Sequence, residues 1–264
     1  MRKITGVVVC GGTARRNGGH EVYLYKLAEE NCPEGAQFGS PRCIRRAVRS
    51  PDRPVAGAVD YAAALALVIL PAGAEGIAAL EAARPGAVFE VAGSRTSGRT
   101  GRGVGEEIDV LEGAVVAPLG GPAPREVLPA LEIDISEARL LPRGVPAVVR
   151  GVAVTQVRES DGRSPLAWFL LGNAPPAGGM RILPPGAPRI IRVVLFGRRA
   201  DDLPAIAPGA AVRAACVHRE SVDPAAPWYP AEAREILFPG RPEDDLPDSV
   251  SELHGGPESS IATL

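Results

Sequence analysis

The sequence predicts an all-β chain of two tandem five-stranded Greek-key barrels, each with a short helix between its third and fourth strands. Three observations carry that expectation. Short β-rich segments bounded by Gly and Pro recur along 264 residues, a length that fits two ordinary domains. The order strand, strand, strand, helix, strand occurs twice. The two halves also match residue by residue. Ile4–Val9 falls on Val149–Val154, an offset that lays Tyr23 on Trp168. Leu67–Leu70 falls on Val193–Phe196, an offset that lays Ile77 on Leu203 and Leu80 on Ile206. Pro85-Gly86-Ala87 falls on Pro208-Gly209-Ala210. A repeat of this kind outranks any single motif.

The elements follow in order. Ile4–Cys10 is β-branched and ends on Gly11-Gly12, so it reads as a strand entering a loop. Glu21–Leu27 is a second strand, with Tyr23, Tyr25 and Leu27 alternating onto one face. Residues 32–57 form a basic Pro/Gly loop, and Ala62–Leu70 is an apolar strand. Glu75–Ala83 carries Ile77 and Leu80 at helical spacing. Ala87–Val91 follows the Pro85-Gly86 turn, and Ile108–Val116 closes the set. In the second half the strands are Val148–Val157, Leu166–Leu171, Arg189–Phe196 and Ala210–His218, with a helical turn at Asp201–Ile206. Glu235–Phe238 is the expected fifth strand. The domains run 1–118 and 145–240, joined by a Pro-rich linker, 119–144. Residues 241–264 are read as an acidic disordered tail. Three strands, a helix and two strands is the order of the OB barrel; a sandwich would not place a helix at the same point twice.

Charge is unevenly spread. Residues 1–57 hold ten Lys/Arg against five acids, residues 139–219 twelve against four, and residues 240–264 one against six. A basic body with an acidic end is a layout of nucleic-acid binders, and also of an ordinary solvated surface. Only Lys3 and Lys26 are lysines, which fits the coding bias of a GC-rich, bacterial genome and weakens any argument from Arg over Lys. Cys10, Cys32, Cys43 and Cys216 are irregularly spaced, so reduced thiols in a cytoplasmic, nucleoid-associated protein are expected. Their intervals, with His20, match no short-spaced ligand pair, so no metal is expected. The longest apolar run, Tyr61–Leu70, is too short to cross a bilayer as a helix.

In an OB barrel, strands 2 and 3 with the loops joining strands 1–2 and 4–5 form the ligand groove. The sequence puts its arginines and rings there. The first half offers Arg15, Arg16, Tyr23, Tyr25, Arg95, Arg99 and Arg102. The second offers Arg158, Arg163, Trp168, Arg192, Phe196, Arg198, Arg199, Arg219, Trp228 and Tyr229. Rings stack bases and arginines track phosphates. On Arg189–Phe196, Arg192 shares a face with Phe196, and an arginine does not enter a small barrel core without a partner, so both are expected on the groove side. Trp168 and the Tyr23/Tyr25 face stay open between core and platform.

The segment Arg192–Arg213, with its apolar strand, Asp202-Leu203-Pro204 turn and Gly-led fourth strand, resembles the telomere end-binding OB domains of the protection-of-telomeres family. The resemblance covers roughly residues 147–238 and implies single-stranded DNA, with RNA as the alternative strand, held in one or both grooves. Few groove aromatics set this chain apart from that pattern. A rival motif, Gly6–Gly19, resembles the opening of sugar-nucleotide and molybdenum-cofactor nucleotidyltransferases, where Gly-Gly cradles a phosphate. The helix that should follow is replaced by a strand-like segment, and no magnesium-holding Asp or βαβ alternation appears. With no Ser/His/Asp set and only His20, His218 and His254, no catalytic residue and no cofactor are expected. The expected role is single-stranded nucleic-acid binding as a chromosome-end, replication or repair accessory, with a protein partner for the tail. The alternative is an OB scaffold for proteins.

Overall fold

The computed structural model describes residues 2–14, 20–27, 34–36, 40, 42–43, 58–71, 83–95, 103–110, 116–119, 124–160, 164–173 and 190–264. Two compact units divide the chain: Met1–Glu132 with Leu140–Val148, and Ile133–Arg139 with Val149–Leu264.

In the first unit the strands are β1 (Arg2–Ala14), β2 (His20–Leu27), β3 (Leu65–Leu70), β4 (Val88–Arg95), β5 (Glu106–Asp109) and β6 (Val116–Pro118), with α1 (Ala58–Ala64) leading into β3. They pair in the order β1-β2-β3-β5-β4, and β4 returns to β1, so five strands close a ring with β6 added on β4. β3 and β5 are parallel; the other pairs in the ring are antiparallel. Ile4, Val8, Val22, Leu24, Ala66, Val68, Phe89, Val91 and Ile108 fill its core. They alternate along their strands, as one face of a closed sheet requires.

The second unit repeats the ring. β8 (Pro146–Ala153), β10 (Leu166–Gly172), β11 (Ile190–Phe196), β13 (Val250–Thr263) and β12 (Ala211–Val222) follow one another, and β12 returns to β8. The short strands β7 (Glu132–Ile133) and β9 (Arg158–Glu159) extend it. α2 (Pro124–Leu131) belongs to the first unit, and α3 (Ile135–Ala138) and α4 (Ala231–Leu237) belong to the second. β11 and β13 are the parallel pair. This is the OB connectivity, present in both units.

The matched turns are built alike. Gly86 and Gly209 both take positive φ, 97° and 87°, a conformation that glycine adopts without steric cost. The Gly86 N–H donates to the Val8 carbonyl at 2.7 Å, and the Gly209 N–H donates to the Ala153 carbonyl at 2.8 Å. Val8 and Ala153 are equivalent under the offset that matches the first strands. So are Gly6 and Gly151, where a Cβ would strike the second strand: Leu24 and Tyr25 in one barrel, Leu171 and Gly172 in the other.

Several expectations are corrected. Leu24 pairs with Ala66 and Phe169 with Val193, so the third strands match one residue away from the alignment read in the sequence. Glu235–Phe238 is not the fifth strand: Ala231–Leu237 is helical, with Ala233, Ile236 and Leu237 turned inward at helical spacing. The fifth strand is β13, which occupies most of the expected tail. Its Gly255-Gly256-Pro257 and acidic residues hide it from a hydrophobicity reading, yet its backbone pairs with β11 on one side and β12 on the other. Backbone bonds satisfied on both sides hold a strand without an apolar run. The expected linker holds α2, β7 and α3, the last opened by an Asp134/Glu137 capping box. Where reduced thiols were expected, Cys10, Cys43 and Cys216 are each disulfide-bonded, so no cysteine among the described residues is free; Cys32 lies outside them. In the second half the 3₁₀ turn Ala200–Asp202 stands where a helix was expected; its first-half counterpart lies outside the described residues. Among the described residues no helix is long and apolar enough to cross a membrane.

Candidate functional site

The outer face of β10 and β11 is where a groove was expected. Ile191, Val193 and Leu195 point one way with Phe169 and Leu171, all fully or almost fully buried. Arg192, Val194 and Phe196 point the other way with Trp168 and Leu170. That second face is covered by the chain itself. The segment between β12 and β13 lays Tyr229 and Ala233 on Trp168, Leu170 and Val194, with Ile236 and Leu237 packed at the margin. Lifting it would expose several large apolar side chains at about 1.5–3 kcal/mol each, so the closed state is strongly favoured.

Under it sits Arg192, its side chain 4% exposed, with Nε 2.5 Å from Glu252 Oε1 on β13. Its guanidinium lies 4.2 Å from the Tyr229 ring centre and 5.9 Å from that of Trp168. Burial, and then the Glu252 carboxylate, push the Tyr229 phenol upward. Arg192 is therefore on the expected face but sealed, and the expectation that it meets a ligand is corrected. Trp168 and Tyr229 are likewise 3% exposed each.

The margin of the cover is open. A cleft of about 690 Å³ is lined by Arg158 on β9, Trp168 on β10, and Trp228, Tyr229, Glu232 and Arg234 from the covering segment, with Glu159 and Glu243. It lies between the two loops that flank an OB groove, and it gathers four of the residues singled out in the sequence. Trp228 is 63% exposed. Its turn is fixed: the Ala225 N–H donates to Asp223 Oδ1 at 2.8 Å, the Tyr229 N–H to the Ala226 carbonyl at 2.9 Å, and Pro224, Pro227 and Pro230 restrict φ. The cations here are answered by acids. Arg158 grips Glu232 through two nitrogens, and Arg234 pairs with Glu243. Glu232, by its hydrogen bonds, holds the Arg158 guanidinium above its usual range.

Other candidates lie elsewhere. Phe196 is exposed where β11 leaves the cover. Arg198 donates to the Ser259 carbonyl at 3.2 Å, Arg199 is exposed, and Arg219 donates to Ser251 Oγ at 3.4 Å. In the first unit Tyr23 and Tyr25 are buried, and Tyr25 packs against Tyr61 with ring centres 5.6 Å apart. Neither offers a stacking face, which corrects that expectation. Arg95 Nε lies 3.6 Å from Glu106, a buried carboxylate also held by Arg2 at 2.9 Å and Lys26 at 3.3 Å. Burial would raise the Glu106 carboxyl, but the Arg2 hydrogen bond and the Lys26 charge outweigh it and hold it below its usual range. Arg15, Arg16, Arg99, Arg102 and Arg163 lie outside the described residues. The sequence reading missed the partners Glu232, Glu243 and Glu252. The spacing of Glu232 within a helical 231–237 was the available signal for the first; nothing local marked Glu252.

No protein-family model matches the chain, and no curated protein does. Among solved structures it is similar to a replication protein A heterotrimer bound to ssDNA, at 9% identity and a TM-score of 0.40. That likeness covers 99% of this chain and 48% of the other. It is also similar to a murine DNA-binding protein bound with dsDNA, at 10% identity and a TM-score of 0.41, covering 100% and 96%. A Plasmodium falciparum SSB complex with ssDNA matches at 10% identity and a TM-score of 0.26, covering 45% of this chain and 93% of the other. Likenesses at this level carry no functional inference.

Proposed function

We propose that this chain binds single-stranded nucleic acid, DNA in the first instance, without catalysing a reaction on it, in the cleft at the margin of the second barrel. The observation that supports this reading is Trp228, a largely exposed ring on a rigid turn, set in one cleft with Arg158, Trp168 and Tyr229. A base stacked on an aromatic ring gains about 1–3 kcal/mol whatever its sequence. Arg158 and Arg234 already face carboxylates, so phosphate neutralisation adds little. Affinity should therefore fall only gently with salt, unlike a binder that strips counterions from many phosphates.

The test is a titration of the full chain with labelled single-stranded DNA, duplex DNA and RNA at two salt concentrations. Single strands should bind best, and Trp228→Ala should cost about 1–3 kcal/mol with the salt slope unchanged. A parent chain that binds no single strand at low salt overturns the reading. A protein-binding OB scaffold then takes its place, and two observations favour it as the second reading. The β10–β11 face is covered by the chain itself, and the cleft arginines are paired. A mobile acidic tail would not be the contact in that case, because 250–263 is built into the ring.

A further inference from the structure

Beyond the cleft, three rings lie in a row across adjacent strands of the second barrel. Phe196 ends β11, His254 is on β13 and His218 is on β12, where it pairs directly with His254. The Phe196 and His254 ring centres are 5.1 Å apart and those of His254 and His218 are 6.2 Å apart, both edge to face. The row belongs to the same outer face as Val194 and Glu252, but it begins where the cover stops. Val194 is 2% exposed, and Phe196, two residues on, is 45% exposed. Arg198 and Arg199 follow Phe196 after Gly197. None of the three rings lines the cleft around Trp228.

Acids on the same face hold two of the rings. His254 Nε2 lies 2.9 Å from Glu252 Oε2, and Glu252 is locked to Arg192. His218 Nε2 lies 3.7 Å from Glu220 Oε1. Phe196 offers its own half-exposed ring at the open end of the row, and the His254 ring beside it is held through Glu252, so a base can stack there without rearrangement, and preorganisation of that kind raises affinity.

We propose that Phe196, His254 and His218 form a second stacking subsite for the bases of a single strand, with Arg198 and Arg199 beside its phosphates. This rests on the reading that the Trp228 cleft holds one part of such a strand, and it extends the contact to a longer ligand. A single OB barrel spans about 4–16 nucleotides, enough to meet both places.

The experiment uses oligothymidines from about 4 to about 16 nucleotides on the full chain, with oligouridines as the RNA arm. For the parent, affinity should step upward once the oligomer is long enough to reach both subsites. Phe196→Ala should remove that step, a loss of roughly tenfold for long oligomers, and leave short ones unaffected. Phe196→Trp should keep the step and add a fluorescence signal quenched only by long oligomers. Trp228→Ala should weaken short and long oligomers alike. If Phe196→Ala keeps the step while Trp228→Ala loses binding, the second subsite is wrong and the cleft reading stands. Equal weakening of short and long oligomers by Phe196→Ala also overturns a separate subsite. No binding by the parent removes both.

Discussion

The two barrels close the same ring, yet each places a glutamate on its fifth strand in a different electrostatic setting. In the first barrel Glu106 lies one alternation beyond the core residue Ile108, at the end of the inward row. Arg2, Lys26 and Arg95 answer it, and the side chains of Arg2 and Arg95 are more than half exposed. In the second barrel Glu252 is on the outer face, wholly buried, and answered by Arg192, itself buried under Tyr229. Topology fixes which strands are neighbours. It does not fix what solvates a charge, and that difference decides how much each glutamate matters.

The largest expected effect comes from removing a partner where water cannot replace it. Glu252→Gln leaves the Arg192 guanidinium buried without its counter-charge and should lower stability by about 3–5 kcal/mol. Glu106→Gln releases cations that water can solvate, so its cost should be about 1 kcal/mol. Chemical denaturation of both variants reads the contrast directly. Equal losses would mean that the cover over Arg192 admits water.

A second contrast concerns the matched glycines of β1 and β8. A Cβ on Gly151 would come within 2.5 Å of the Gly172 carbonyl oxygen and of Leu171 Cγ, whereas on Gly6 its nearest neighbours are at 2.9 Å. Alanine at either position overpacks the strand crossing, at about 1–3 kcal/mol, and Gly151→Ala should be the worse of the two. A reversed order in melting temperature would show that the second barrel yields more readily than its contacts imply.

The smallest effect is a pH dependence that His218 gives the second barrel. Burial pushes the His218 imidazole below its usual range and His254 acts in the same sense, against Glu220 and Glu258. A base whose folded value is depressed stabilises the fold fully above its unfolded value, about 6.5. That contribution is lost as pH falls through this value towards the folded one. His218→Gln should flatten the fall in melting temperature over that window by about a few degrees. Unchanged pH profiles would place the titration elsewhere.

Much of the fold was legible because its signals are local. Pro85-Gly86 and Pro208-Gly209 announce the same turn, and the alternation in Arg189–Phe196 separates Arg192 and Phe196 from the core row. The site was less legible because it depends on distant pairings. Nothing near Arg192 in sequence says that Glu252 meets it, and the helix that hides Trp168 lies some sixty residues on, among residues that read as a closing strand. The third-strand match slipped by one because Leu67–Leu70 and Val193–Phe196 are apolar throughout, and such runs do not declare which face is inward. β13 was missed for the opposite reason: its place is set by backbone pairing.

That last strand also sets an order on the birth of the molecule. A chain is made from its N-terminus, and domains fold as they emerge. The five ring strands of the first barrel are all present once Asp109 has been synthesised. The second barrel waits for Val250–Thr263, which slots between two strands already made. Until then β11 and β12 each carry an unpaired edge, the kind of edge that recruits foreign strands. A ribosome stalled before Val250 would thus hold one finished barrel beside one with two sticky flanks, and a chaperone that shields strand edges would find its work there.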